Sequence, residues 1–127
     1  MVRYVLDTGA LIAAERGDPW VMKFFALRHR GQALLLIPLV CVLEWWRGRT
    51  DVREEILRAA DIEPLTMTIA KAAGQAQAKV KGATSIDSAV MATAALRGGI
   101  VLTRDVRDFA RLREHFKAVR VFGFDDT

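Results

Sequence analysis

Val2-Arg3-Tyr4-Val5-Leu6-Asp7-Thr8-Gly9-Ala10-Leu11-Ile12-Ala13-Ala14 is the stretch that decides the fold. A short β-prone run ends at Asp7, an N-cap candidate, and apolar residues at helical spacing follow at once. This is a strand feeding a helix, and the pattern recurs along the chain. Trp20, Phe24, Phe25 and Leu27 predict a second helix, ended by Gly31. Leu34 to Ile37 is fully apolar, as a strand covered on both faces should be. Pro38 then opens a helix from about Leu39 to Arg47, with Glu44 near its middle and Gly48 as its stop. Beyond a helix-like stretch from Val52 to Ala60, Ile62-Glu63-Pro64-Leu65 fits a short edge strand, where proline is tolerated. Thr68 caps a helix containing Ile69, Ala72, Ala73, Ala76 and Val80. Ser85-Ile86-Asp87-Ser88 begins the most alanine-rich helix, closed by Gly98-Gly99. Ile100-Val101-Leu102 is another buried strand, Asp105 starts a helix with Phe109 and Leu112, and Val119 to Phe122 is the last strand. Strands alternating with helices imply an α/β fold with parallel pairing and right-handed crossovers.

No repeat, low-complexity tract or flexible linker divides the 127 residues, so residues 1–127 are read as a single domain. A hydrophobic content of 52% with 27% charge argues against disorder. The longest apolar run, Ala33 to Leu43, is broken by Pro38 and falls short of the roughly 20 residues a membrane helix needs. The first residues lack the apolar stretch and small-residue cleavage site of a secretory signal, and the expected location is the cytoplasm. The one cysteine, Cys41, lies in an apolar segment and reads as a small buried hydrophobe. It permits neither an intrachain disulfide nor a thiolate metal site. His29 and His115 are isolated, match no zinc spacing and read as surface residues.

Four acids stand at strand ends or helix starts: Asp7, Glu44, Asp87 and Asp105. Taken singly, each has an ordinary explanation. Asp7 and Asp105 suit helix N-caps, with Asp108 able to complete the second, Asp87 suits a helix dipole, and Glu44 suits a wet helical face. Taken together they point elsewhere. An α/β sheet gathers its functional groups beyond the carboxyl ends of its strands, so these acids are expected to converge. Clustered carboxylates stay ionised only with a cation among them, and hard divalent ions on oxygen ligands activate water against phosphodiesters. The hydroxyls of Thr8 and Thr103 are placed to orient the carboxylates, a role that competes with ordinary capping. The net charge is +4, yet setting four acids aside leaves eleven against nineteen basic residues, fourteen of them arginine. Arginine's planar fork matches phosphate and favours a polyanionic partner, although biased genome composition also produces such a chain.

The runs Tyr4-Val5-Leu6-Asp7-Thr8-Gly9-Ala10-Leu11, Val42-Leu43-Glu44-Trp45-Trp46-Arg47-Gly48, Ile86-Asp87-Ser88-Ala89-Val90-Met91-Ala92-Thr93-Ala94-Ala95 and Val101-Leu102-Thr103-Arg104-Asp105 resemble the four acidic motifs of a PIN domain. Order, spacing and length resemble in particular the bacterial VapC-type toxins, and the similarity covers essentially the whole chain. The resemblance implies a PIN-like three-layer α/β/α fold around a mostly parallel sheet of about five strands. It also implies an endoribonuclease dependent on Mg²⁺ or Mn²⁺, with Asp7, Glu44, Asp87 and Asp105 as catalytic and metal-holding acids. In such families the ion polarises the scissile phosphate and activates a water that attacks in line, leaving a 5′-phosphate and a 3′-hydroxyl. Asp7 and Asp87 are expected as the most direct ligands, Asp105 close behind, and Glu44 acting through water. Asp108 is able to share or replace the role of Asp105. A small VapB-type antitoxin and a homodimer are the implied partners, with RNA as substrate. Trp20, Phe24, Phe25, Trp45 and Trp46 suffice for an apolar groove, though core packing explains most of them and one of the adjacent tryptophans should face outward. Arg28, Arg30, Arg47, Arg49, Arg104 and Arg107 are candidates to contact the RNA backbone.

Two other readings compete. A PIN-type nuclease of RNA processing or DNA repair shares the motifs, although the small size without insertions favours a toxin. A receiver-like signalling domain needs a phosphoacceptor Asp after a middle strand and a Lys after a late one. Here Asp61 precedes its strand and no Lys follows Val119 to Phe122.

Overall fold

The computed structural model describes residues 1–123. Five strands, β1 (Val2–Leu6), β2 (Ala33–Pro38), β3 (Asp61–Glu63), β4 (Ile100–Thr103) and β5 (Val121–Gly123), form one sheet in the order β3-β2-β1-β4-β5, every pair parallel. Parallel neighbours need crossovers, and seven helices supply them: α1 (Thr8–Glu15), α2 (Pro19–His29), α3 (Leu39–Trp45), α4 (Asp51–Arg58), α5 (Met67–Lys79), α6 (Ser85–Arg97) and α7 (Val106–His115). The path steps outward from β1 to β3, then jumps back past β1 to β4. With right-handed crossovers that reversal puts α1 to α4 on one face and α5 to α7 on the other. The result is the expected three-layer α/β/α sandwich.

The core lies on both sides of β1, β2 and β4, whose carboxyl-terminal halves are buried. Helix α6 is covered continuously from Ser88 to Ala94, between the sheet and α5. Its small side chains permit that close approach, and the Thr93 hydroxyl satisfies itself on the Ala89 carbonyl at 2.7 Å. Leu6 and Leu102, fully buried, form the floor beneath the carboxyl edge, where truncation to alanine would cost about 2–5 kcal/mol.

Four sequence expectations shift. Thr66, rather than Thr68, caps α5, because its hydroxyl is placed to accept from the Ile69 N–H at 3.2 Å. Helix α3 ends at Trp45, since Trp46 is already extended (ψ 130°). Glu44 therefore sits in the last turn instead of mid-helix, and Gly48 (φ +107°) bends the chain beyond it. The third strand starts at Asp61 and stops before Pro64, whose missing N–H cannot extend the ladder. The last strand begins at Val121, because the Val119 N–H is spent on the Phe116 carbonyl.

Candidate active site

The sheet reverses its direction of growth between β1 and β4, and a crevice opens there beyond the carboxyl ends. Asp7 occupies that point. Its N–H reaches the Leu102 carbonyl at 3.3 Å, prolonging the β1–β4 pairing by one residue, and its Oδ1 accepts from the Ala10 N–H at 2.8 Å to cap α1. Gly9 allows the close approach: a Cβ there would stand 3.2 Å from the Arg104 Cβ and 3.5 Å from Asp7 Oδ1. The start of α1 thus rests against the β4–α7 connection.

Asp7 is 7% exposed, and burial pushes its carboxyl up to about 6. The Thr103 hydroxyl and the Ala10 N–H hold it down, while the charges of Asp87 and Glu44 push it further up. Asp87 arrives from the opposite layer, in the first turn of α6, where its N–H is capped by the Thr84 hydroxyl. Burial raises it to about 6 as well, with contributions from Asp108, Glu44 and Asp105. Glu44 therefore lies near enough to act on both Asp7 and Asp87, and Asp105 and Asp108 near enough to act on Asp87. Asp105 spends a carboxylate oxygen on the Arg107 N–H as the cap of α7, and its own N–H binds the Thr103 hydroxyl. Asp108, one turn in, acts on Asp87 more strongly than Asp105 does.

A family model of the PIN domain matches residues 4–115. The chain belongs to the PIN domain family. No curated protein sequence matches it significantly. Its fold is similar to that of VapBC2 from Rickettsia felis, solved bound to a DNA fragment from their promoter, with a TM-score of 0.74, 12% identity and coverage of 98% of this chain and 100% of that one. DNA-bound VapBC from Salmonella typhimurium gives 0.72, 17%, 97% and 98%. A toxin–antitoxin complex from Klebsiella pneumoniae gives 0.67, 22%, 84% and 90%. At these identities the likeness is one of fold.

Whether this PIN domain suits a divalent cation is a question of donors. Among the described residues, no three Asp, Glu, His or Cys side chains stand together as a ready-made cage. Mg²⁺ does not require one, since it keeps several waters and takes one or two carboxylates plus substrate phosphate. Asp7 and Asp87 fit that pattern: they are hard oxygen donors, one buried and one half-buried, whose carboxyls are raised first by loss of water and then by neighbouring negative charge. Beside them in sequence, the buried hydroxyl of Ser88 has no hydrogen-bond partner among the described residues, and that of Thr8 has only the Cys41 thiol, a weak acceptor. Thr103, not Thr8, is the hydroxyl on the Asp7 carboxylate.

Of the arginines expected to meet RNA, Arg104 adjoins Gly9 at the rim and Arg107 lines a cavity that includes Asp87. Arg28 and Arg30 precede β2 and so lie at the opposite, amino edge of the sheet. Arg49 pairs with Asp51 on the surface. Lys81 and Arg111, which line the Asp87 cavity, escape the sequence reading because the Arg111–Lys81 contact spans thirty positions.

Proposed function

We propose that this PIN domain is a divalent-metal-dependent endoribonuclease and the toxin half of a VapBC-type toxin–antitoxin pair. The observation that carries the reading is the convergence of the buried Asp7 and the half-buried Asp87 at the switch point of the sheet, where both carboxyls are raised to about 6. Holding two acids near one another where water is partly excluded is costly unless a cation joins them. Asp7 and Asp87 would hold Mg²⁺ or Mn²⁺, Glu44 would assist through water from the end of α3, and Asp105 with Asp108 would supply the remaining negative charge. Thr103 fixes the Asp7 carboxylate. When bound, the ion polarises the scissile phosphate and activates the attacking water. Fourteen arginines support a polyanionic substrate, and RNA rather than DNA follows from the resemblance to VapC-type toxins.

The antitoxin reading draws on the VapBC structures of similar fold and on an apolar groove of about 780 Å³. Leu39, Leu43, Trp46, Leu57 and Leu65 line it, and Leu43 is 77% exposed. Such a groove suits the apolar face of an amphipathic helix. Trp45 is buried in the core; Trp46, the more open of the pair, lines the groove while also packing against the core, as Trp20, Phe24 and Phe25 do. A homodimer in the cytoplasm completes the proposal; no helix among the described residues is long and apolar enough to cross a membrane.

The test is cleavage of structured RNA by the purified chain with Mg²⁺, with Mn²⁺ and with excess EDTA, repeated for Asp7→Asn and Asp87→Asn. Cutting that needs the ion and both carboxylates supports the reading. Undiminished cutting by the two variants in EDTA rules it out, and a preference for duplex DNA would move the chain to the repair class.

A further inference from the structure

The turn between α5 and α6 and the facing side of α7 enclose a cavity of about 290 Å³. It includes Asp87 and Asp108 but neither Asp7 nor Glu44, so it adjoins the acidic centre without coinciding with it. Its walls also carry three cations: Lys81 from the turn, and Arg107 and Arg111 from α7. The two arginines are four residues apart on one helix and share a face.

The three cations have different attachments. Arg111 Nη1 donates to the Lys81 carbonyl at 3.0 Å and ties the turn to α7. Gly82, at φ +84°, lets the turn bend there, and a Cβ on it would meet Arg111 Nη1 at 3.7 Å. Arg111 is thus a structural brace. Lys81 and Arg107 are exposed and form no ion pair among the described residues, whereas Arg49, Arg53 and Arg97 each do. Their positive ends remain available to an anion in a cavity whose volume is close to the roughly 300 Å³ lower limit of ligand pockets. That size admits a phosphate with its sugar.

We propose that this cavity seats a backbone phosphate of single-stranded RNA next to the scissile one, with Lys81 and Arg107 as its cations and Arg111 as the brace that positions Lys81. The inference rests on the nuclease reading for the meaning of "scissile". Chemically it requires only that a polyanionic strand cross the rim at Asp87. A strand held there presents its neighbouring phosphodiester to the carboxylate centre, which is how positioning of a flexible substrate aids an in-line reaction.

The experiment measures binding apart from cutting. A fluorescein-labelled single-stranded RNA is titrated by anisotropy, over a salt series in EDTA, against Asp7→Asn protein with and without Lys81→Ala and Arg107→Ala. The expected result is several-fold weaker binding and a log affinity against log salt slope shallower by about 0.7 for each cation removed. Lys81→Arg with Arg107→Lys should restore the slope. Arg28→Ala with Arg30→Ala, at the far edge of the sheet, should leave it unchanged. Circular dichroism of each variant checks that the fold is retained. An unaltered slope in the Lys81→Ala, Arg107→Ala protein overturns the proposal, as does failure of the parent to bind RNA at all. Wild-type protein that binds with the expected slopes yet cuts no RNA overturns the nuclease reading and keeps the phosphate seat. Wild-type protein that cuts while the slopes do not move does the reverse.

Discussion

At Asp7 one side chain meets two demands, capping α1 through the Ala10 N–H and staying charged while buried. Asparagine caps as well as aspartate does but carries no charge. Asp7→Asn is therefore expected to raise the stability of the metal-free protein at neutral pH, on the order of 2–3 kcal/mol for a carboxyl moved from 3.8 to about 6. The same change should lower cleavage at least about 100-fold, since ligand environments at metal sites are worth that much. Urea unfolding and cleavage rates on one preparation check both, and a destabilised but active variant would contradict the assignment. Asp105 separates its two duties in the same way. Asp105→Asn keeps the cap of α7, so any loss of rate reports on charge, whereas Asp105→Ala adds about 1 kcal/mol of instability. If only the alanine variant loses rate, in step with stability, Asp105 is a cap and Asp108 is the acid that serves the centre. Sequence spacing could place both acids near one strand end but could not choose between them. The choice depends on which oxygen the first turn of α7 consumes.

Helix α3 brings Glu44 to the rim, and its own hold on the fold comes from Glu15 at the end of α1. Glu15 Oε1 accepts from Trp45 Nε1 at 2.9 Å, while Oε2 meets Arg53 of α4 at 2.9–3.1 Å. One carboxylate thus joins three helices, and the residue it grips is the neighbour of Glu44. Glu15→Gln keeps an acceptor for Trp45 but loses the charge-assisted bonds to Arg53. The expected cost is about 1–2 kcal/mol, with a coupling to Arg53→Ala in a double-mutant cycle. If Glu15 positions Glu44, the turnover number falls while the Michaelis constant for RNA stays, and Glu15→Asp does not rescue it because the shorter arm cannot span both partners. A Glu15→Gln enzyme with unchanged turnover would confine the network to stability. The strands and helices themselves were legible from the alternation of apolar runs with capped, 3.6-periodic segments. Boundaries were less so, for local reasons. Thr66 and Thr68 are equal as caps in composition, and only the hydrogen bond to Ile69 separates them. Nothing in Trp45-Trp46-Arg47 announces that the chain leaves the helix after the first tryptophan, because Trp45 turns inward to Glu15 while Trp46 lines the groove.

Across the whole molecule these charges set a pH response that the cation should invert. Asp7 and Asp87 have carboxyls raised from 3.8 to about 6, so between those values the folded chain holds protons that the unfolded chain releases. Stability of the metal-free protein must then fall as pH rises from about 4 to about 6 and stay at the lower level above it, with Asp87, the more open to water, contributing less. Glu15 acts in the opposite sense. Arg53 holds its carboxyl below the usual 4.5, so its contribution is present above that value and is lost as pH falls through the lower folded one. The metal-free protein is therefore expected to be most stable near pH 4–5. Mg²⁺ requires the deprotonated carboxylates, so it should stabilise at pH 8, by about 2.7 kcal/mol at a hundred times its Kd, and scarcely at pH 4.5. Urea midpoints from pH 3 to 8, in EDTA and in Mg²⁺, give both curves. A gain in stability from pH 4 to 7 in EDTA would mean that the two carboxyls are not raised by the rim they share. Equal stabilisation by Mg²⁺ at pH 4.5 and pH 8 would place the ion somewhere other than on Asp7 and Asp87.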